Sequence, residues 1–136
     1  MGDLSAHFNK AEFADRVTGE CKVNPDLINA LEEMRSLAGK PIRIDSGYRD
    51  PARNKEVGGV SHSQHLVGNA ADIAIEGMTT YELYVLADQV GAFQHGGIGI
   101  YPGENFLHVD VRGIRARWSR VNGAYKAIHD FVETLA

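Results

Sequence analysis

Apolar residues recur at three- and four-residue spacing between residues 27 and 37 and predict an amphipathic helix. Such spacing places its members on one helix face, which is expected to pack in the core: Leu27, Ile28, Leu31, Met34 and Leu37. Asn24 is a suitable N-cap, Pro25 suits the first helical position, and Gly39 can end the helix.

Other segments predict further short elements of both kinds. Apolar runs and alternations predict strands at Pro41–Asp45, Ala70–Ile75, Gly97–Tyr101 and Phe106–Val111. Helices are expected at residues 4–14, from the capping box that begins at Thr79 to about Val90, and over Gly123–Leu135. The last two strands are close enough to form a hairpin. This mixture predicts an α+β fold with a small, mostly antiparallel sheet flanked by helices.

Length and composition exclude several classes of protein. The 136 residues fit a single domain over residues 1–136, and no apolar run approaches a membrane span. No signal peptide is visible at the N-terminus. A net charge of −4 argues against nucleic-acid binding through general basicity. The single Cys excludes an internal disulfide framework and multi-Cys metal sites, so any metal must be held by His and carboxylates.

Two local patterns carry candidate chemistry, namely the segment Ser63–Asp72 and the tripeptide His108-Val109-Asp110. The first follows a long polar, glycine-rich connection, and connections of that length are often functional. His108 and Asp110 lie two apart on a predicted strand and should share one face. Two imidazoles and one carboxylate can fill three positions of a tetrahedral zinc ion and leave the fourth for water. On spacing alone, the alternative is that His65 and His108 are ordinary polar or core residues.

Four short motifs occur in one order: Ser46-Gly47-Tyr48-Arg49, Ser63-x-His65-x-x-Gly68-x-Ala70-x-Asp72, Gly96-Gly97-Ile98-Gly99-x-Tyr101-Pro102 and His108-Val109-Asp110-Val111-Arg112. Together they resemble the zinc D-Ala-D-Ala carboxypeptidase-like murein peptidases. This is the superfamily of lysostaphin-type enzymes, D-Ala-D-Ala metallopeptidases and the hedgehog signalling domain. The chain is most similar to the group of phage endolysins and bacterial murein endopeptidases. The resemblance implies one zinc peptidase domain with the hedgehog and D-Ala-D-Ala peptidase type of fold.

The resemblance implies three zinc ligands: His65, Asp72 and His108. It also implies that Arg49 contacts the substrate and stabilises the oxyanion, which suits a guanidinium aimed at the scissile carbonyl. The alternative for Arg49 is a surface ion pair with Asp45 or Asp50.

The general base is where the chain departs from the family pattern. Several members carry an acidic residue three positions before the third ligand, but here that position is Asn105. The remaining candidates are Asp110 and Glu104. Asp110 could reach the water, or it could instead orient a ligand or Arg112. Glu104 lies in the predicted hairpin turn, where the alternative is a solvated loop residue.

Three further residues are candidates for substrate binding beside Arg49: Ser63, His95 and Trp118. Ser63 could orient the loop or bond a ligand. His95 could contact substrate or pack within its loop. Trp118 could close one wall of the cleft or be an ordinary packed aromatic.

The expected function is hydrolysis of peptide bonds in peptidoglycan stem peptides or cross-links by zinc-activated water. The alternatives are a non-catalytic peptidoglycan- or protein-binding module on the same zinc fold, and a zinc hydrolase acting on another amide. We expect a monomer that acts on the cell wall. Release of a phage product, or removal of a leader segment, would fit that location.

Overall fold

The computed structural model describes residues 4–15, 19, 21–48, 64–121 and 124–126. The helices are α1 (Lys10–Phe13), α2 (Pro25–Ala38), α3 (Thr80–Ala87) and α4 (Gly91–Gln94), with 3-10 turns at Gln64–Val67 and Pro102–Glu104. The strands are β1 (Arg43–Ser46), β2 (Ala70–Ala74), β3 (Gly97–Tyr101), β4 (Phe106–Asp110), β5 (Ala116–Val121) and β6 (Ala124–Lys126). No helix in these ranges is long and apolar enough to cross a bilayer.

The strands form one sheet in the order β1-β2-β4-β3-β5-β6. Every pairing is antiparallel except that of β3 with β5, which is parallel. The chain therefore passes from β4 to β5 across the end of β3, through residues 111–115. The predicted α+β class and the mostly antiparallel sheet are confirmed.

The core lies between the sheet and the helices α2, α3 and α4. Alternate residues of the central strands, such as Ile98, Ile100, Leu107 and Val109, are buried in one cluster with the apolar face of α2. Because side chains alternate across a strand, the intervening residues of β2, β3 and β4 face the other side of the sheet. That second face carries the site described below.

The predicted ends of α2 are confirmed. The Asn24 side chain accepts a hydrogen bond from the backbone N–H of Asp26, Pro25 is the first helical residue, and Gly39 follows the last. The predicted apolar stripe is buried except at Leu37, which is 49% exposed in the last turn. The expectation that Leu37 belongs to the core is therefore wrong.

Two predicted helices differ from the structure. The helix predicted over residues 4–14 is shorter in the structure and forms only as α1. The segment before α1 instead folds back, and Ser5 and His7 hydrogen-bond to Glu32 of α2. In the predicted helix Gly123–Leu135, residues 124–126 are strand β6, paired with β5, and the rest lies outside the described residues.

Candidate metal centre

Three potential ligands meet on the second face of the sheet. Asp72 of β2 is paired in register with His108 of β4, so their side chains lie on one face. His65 lies in the 3-10 turn just before β2. Oδ1 of Asp72 is 3.3 Å from Nε2 of His65 and 3.2 Å from Nδ1 of His108. All three side chains are buried, and one ligand atom from each lies within 4.8 Å of the others.

A hydrogen-bond acceptor behind each imidazole determines which ring nitrogen faces Asp72. Nδ1 of His65 lies 2.6 Å from the carbonyl oxygen of Gly47, and Nε2 of His108 lies 2.7 Å from Oδ2 of Asp110. Carbonyl and carboxylate oxygens only accept hydrogen bonds, and these two contacts are shorter than those of the opposite nitrogens to Asp72, at 3.3 and 3.2 Å, so we assign the proton of each neutral ring to these two nitrogens. In the neutral rings, the lone pairs on Nε2 of His65 and Nδ1 of His108 therefore point at Asp72.

This arrangement fits a zinc ion. Three electron-pair donors that face one another need a cation between them, either a metal ion or a proton on a ring nitrogen. Zinc with ligands ~2.0–2.1 Å away in a tetrahedron separates those ligands by about 3.3 Å. The two contacts of Asp72, at 3.3 and 3.2 Å, match this spacing. One carboxylate and two imidazoles are also a donor set that zinc favours.

The charges of the cluster are coupled. Burial raises the pKa of Asp72, but the imidazoles of His65 and His108 outweigh burial and hold it well below its usual range. Burial lowers the pKa of His108, whereas its hydrogen bonds to Asp110 and Asp72 raise it, and the net shift is upward. In the metal-free protein, His108 therefore tends to carry the proton that a metal would displace.

Asp110 lies behind His108, on the side away from Asp72, and is fully buried. Its Oδ1 accepts from the backbone N–H of Gly97 at 2.8 Å. The guanidinium of Arg112 binds both oxygens, with Nη2 2.6 Å from Oδ2 and Nε 2.9 Å from Oδ1. Burial raises the pKa of Asp110, but its hydrogen bonds from His108 and Arg112 hold it well below its usual range. This geometry favours the orienting role considered from the sequence over proton transfer.

Strand β3 contributes space to this face of the sheet. Its sequence Gly97-Ile98-Gly99-Ile100 alternates, with the isoleucines in the core and the glycines on the face of the site. A Cβ atom on Gly97 would overlap the Asp110 carboxylate, and one on Gly99 would overlap the indole of Trp118. The glycines therefore let side chains from the two neighbouring strands meet across β3.

Trp118 reaches the site in this way. Gly99 is paired in register with His108 on one side and with Trp118 on the other. The indole ring lies 5.1 Å from the His108 ring, centroid to centroid, and its Nε1 donates to the Tyr101 hydroxyl at 3.0 Å. The guanidinium carbon of Arg112 lies 5.3 Å from the centroid of the same indole. Trp118 therefore forms a wall beside His108.

The other residues predicted for the site have different placements. Arg49 and Ser63 lie outside the described residues. Glu104 is exposed in the turn between β3 and β4, next to Asn105. His95 is exposed at the end of α4, where its backbone N–H donates to the carbonyl oxygen of Gly91. The structure therefore brings together His65, Asp72, His108, Asp110 and Trp118 among the predicted residues.

Sequence reasoning missed two contributions to the site. The backbone carbonyl oxygen of Gly47 orients the His65 ring. Every residue has such a carbonyl, so the identity of the residue at this position could not predict the contact. The space supplied by Gly97 and Gly99 did leave a trace, because glycines alternate there with isoleucines in an otherwise regular strand.

Comparison with known proteins places the chain that carries this site in a family. The sequence profile described as Peptidase M15 matches residues 6–110, a segment that includes His65, Asp72 and His108. The chain belongs to the peptidase M15 family. The resemblance to murein peptidases that the motifs indicated is confirmed. The matched segment ends at Asp110, so Arg112 and Trp118 lie beyond it.

Curated relatives of this M15 chain are named for peptidoglycan or D-Ala-D-Ala peptidases. "Peptidoglycan L,D-endopeptidase MepK" of Escherichia coli K12 is 32% identical over 112 residues, which are 77% of this chain and 58% of that protein. "Zinc D-Ala-D-Ala carboxypeptidase" of Streptomyces albus G is 38% identical over 91 residues, 65% of this chain and 35% of that protein. The chain thus spans little more than half the length of the MepK protein it matches.

Proposed function

We propose that this chain is a zinc-dependent metallopeptidase that hydrolyses peptide bonds in the stem peptides or cross-links of peptidoglycan. The observation that carries the proposal is the buried group of His65, Asp72 and His108, whose ligand atoms lie within 4.8 Å of one another, with Asp72 at zinc-ligand spacing from both imidazoles. Membership of the peptidase M15 family and the printed names of the relatives favour peptidoglycan as the substrate. Such an enzyme would act at the cell wall.

His65, Asp72 and His108 would hold the metal. Zinc bound there would supply a Lewis acid that polarises the scissile carbonyl and activates a water molecule. The protein orients the ligands: the Gly47 carbonyl holds His65, and Asp110 holds His108. Trp118 beside His108 would exclude water from one side of the bound peptide. His95 and Ser63 remain proposed contacts of the substrate.

The residues for two further roles are assigned indirectly. The oxyanion contact is assigned from the family resemblance, and the general base is assigned by excluding Asp110. Arg49 would bind the carbonyl oxygen of the substrate and stabilise the charge that develops on it. For proton transfer we propose Glu104, since the oxygens of Asp110 are occupied by Gly97, His108 and Arg112. Glu104 is exposed in the turn between the site strands β3 and β4, and in this role it would take the proton of the water and return it to the leaving amine.

A second candidate function is a non-catalytic module that binds peptidoglycan on the same zinc fold. Asn105 at the position where several members of the superfamily carry an acidic residue favours it, and so does the engagement of Asp110 by Arg112. This candidate predicts binding of peptidoglycan without release of fragments.

Digestion of purified peptidoglycan, followed by mass spectrometry of the soluble products, tests the proposal. We expect zinc-loaded protein to release muropeptides whose masses identify the bond cut, whether D-Ala-D-Ala, L-Ala-D-Glu or a cross-link. His65→Ala should release none, and Glu33→Gln, which neutralises an exposed carboxylate of α2, should retain zinc-dependent cleavage. Binding of the zinc-loaded protein to sacculi with no new products would contradict the peptidase and support the binding module.

A further inference from the structure

We propose that Asp110, Arg112 and Trp118 form a positioning ring around His108, which fixes Nδ1 as the atom that His108 presents to the metal. Each member contacts the next: His108 to Asp110, Asp110 to Arg112, Arg112 to Trp118, and Trp118 back to His108. The inference rests on the zinc site of the proposed function but is independent of the substrate. It extends the site beyond the segment matched by the family profile, which ends at Asp110.

The first step concerns the tautomer of His108. A free neutral imidazole interchanges between two tautomers, and only the one with its proton on Nε2 leaves Nδ1 free to bind a metal. The Asp110 carboxylate, 2.7 Å from Nε2, is a closer acceptor than Asp72, 3.2 Å from Nδ1, and so favours the tautomer with its proton on Nε2. A carboxylate behind a metal-binding imidazole also makes the imidazole a stronger ligand.

The second step concerns how Asp110 is held. The guanidinium of Arg112 donates hydrogen bonds to both carboxylate oxygens, and the backbone N–H of Gly97 donates to Oδ1. Together these hydrogen bonds prevent the carboxylate from rotating about its side-chain bonds. A planar guanidinium matches a carboxylate in this two-point geometry, which an ammonium cannot reproduce. Arg112 also offsets the charge of a carboxylate that is fully buried. Arg112 therefore acts on the metal site through two intervening side chains.

The third step concerns the ring plane of His108. The Trp118 indole lies against the imidazole at 5.1 Å and carries the Arg112 guanidinium on its surface at 5.3 Å. Its Nε1 is anchored on the Tyr101 hydroxyl, so the indole is itself held in place. The hydrogen bond to Asp110 and the contact with Trp118 together restrict both the rotation and the tilt of His108.

Two measurements on the purified chain test the positioning ring of Asp110, Arg112 and Trp118 without relying on the peptidase activity of the chain. Zinc affinity is measured by competition with a chromophoric chelator. The tautomer of His108 is measured in the metal-free protein from the ¹⁵N shifts of its ring nitrogens, at a pH above its pKa. The variants are Asp110→Ala, Asp110→Asn, Arg112→Ala and Arg112→Lys. The matched control is Arg115→Ala, which removes an arginine of the same β4–β5 connection that pairs with Asp88 instead.

We expect Asp110→Ala to weaken zinc binding by about 10- to 100-fold and to shift His108 toward a mixture of tautomers. Asp110→Asn keeps the volume of the side chain and should weaken zinc binding in the same direction. Arg112→Ala should do so to a smaller extent, Arg112→Lys should fall between it and the wild type, and Arg115→Ala should match the wild type.

The ring is contradicted if Asp110→Asn and Arg112→Ala bind zinc as tightly as the wild type. It is equally contradicted if they lower only the melting temperature while the ¹⁵N shifts of His108 stay unchanged, since that result assigns these residues to stability alone. If the wild type binds zinc but cleaves no peptidoglycan, the proposed function fails and the ring is still judged on these two readouts. If it binds no zinc, the tautomer measurement decides.

Discussion

The backbone N–H of Gly97 donates a hydrogen bond to Oδ1 of Asp110 at 2.8 Å, and a side chain at Gly97 would overlap that carboxylate. Gly97→Ala should therefore displace Asp110 and weaken zinc binding, with a loss of stability of roughly 1–3 kcal/mol from overpacking. The matched control is Gly91→Ala, because nothing lies within 4 Å of a Cβ atom at Gly91. Chelator competition and thermal melts of both variants check this. Equal zinc affinity in the two would argue against close packing at Gly97.

The stabilisation of the fold by zinc should depend on pH through His108. Because its pKa is raised in the metal-free protein, the charge of His108 stabilises that form fully below the ordinary value of about 6.5. This stabilisation is lost as the pH rises through the raised pKa. Zinc competes with the proton at Nδ1, so zinc binding strengthens over the same interval.

We therefore expect the increase in melting temperature on adding zinc to grow as the pH rises from below 6.5 through the raised pKa of His108. Calorimetry at several pH values, with zinc and with a chelator, measures it. His65→Ala, which loses a ligand, should show little increase at any pH. An increase that stays constant or shrinks as the pH rises would contradict competition between zinc and the proton.

Glu104→Gln should separate proton transfer from metal binding. If Glu104 takes the proton, kcat on a soluble muropeptide falls by roughly 10²- to 10⁴-fold while zinc affinity is unchanged. Glu76→Gln removes another exposed carboxylate, in the turn after β2, and serves as the control. Unchanged kcat in Glu104→Gln would exclude this role for Glu104.

Glu32 holds the N-terminal segment to α2. It accepts hydrogen bonds from the Ser5 hydroxyl at 2.6 Å and from the His7 backbone N–H at 2.8 Å. Burial raises the pKa of Glu32, but the bonds from Ser5 and His7 outweigh burial and lower it. Its contribution to stability is thus present above the pKa of the unfolded chain and is lost as the pH falls through the lowered value.

Glu32→Gln should cost about 1 kcal/mol of the free energy of unfolding at neutral pH, and the difference should shrink in acid. Urea unfolding at two pH values measures it. The adjacent Glu33→Gln is the control, since Glu33 is exposed. A cost that is the same in acid as at neutral pH would show that the Glu32 charge plays no part.

Local signals in the sequence predicted the strands that position Asp72 and His108, but not the 3-10 turn that carries His65. The caps of α2 and the apolar runs of β2, β3 and β4 agree with the structure to within a residue or two. Strand β5 was missed because it carries an arginine on each face, Arg117 and Arg120, and offers no apolar face that a local pattern could identify. Arg117 instead packs against Asp88 and the end of α4, while Trp118 packs on His108. Its pairing with β3 is parallel and depends on distant parts of the chain.

The residue types and motif order predicted which side chains form the metal cluster, but the sequence could not decide the role of Asp110. Residues two apart on a strand share a face, which made contact with His108 foreseeable. Whether Asp110 would face the water or lie behind the imidazole depends on the ring rotamer and on Arg112. Both are set by packing across three strands, which local sequence does not encode.

The glycines of β3 also bear on how such a site can diversify. At Gly97 and Gly99 this strand offers no side chain to the face that holds the ligands, and the space is taken by Asp110 and Trp118 from its neighbours. Substitution there can only obstruct the site. Differences in substrate preference are therefore expected from side chains beside these two positions, such as Trp118 of β5 and Tyr101 at the end of β3, and not from the glycines themselves.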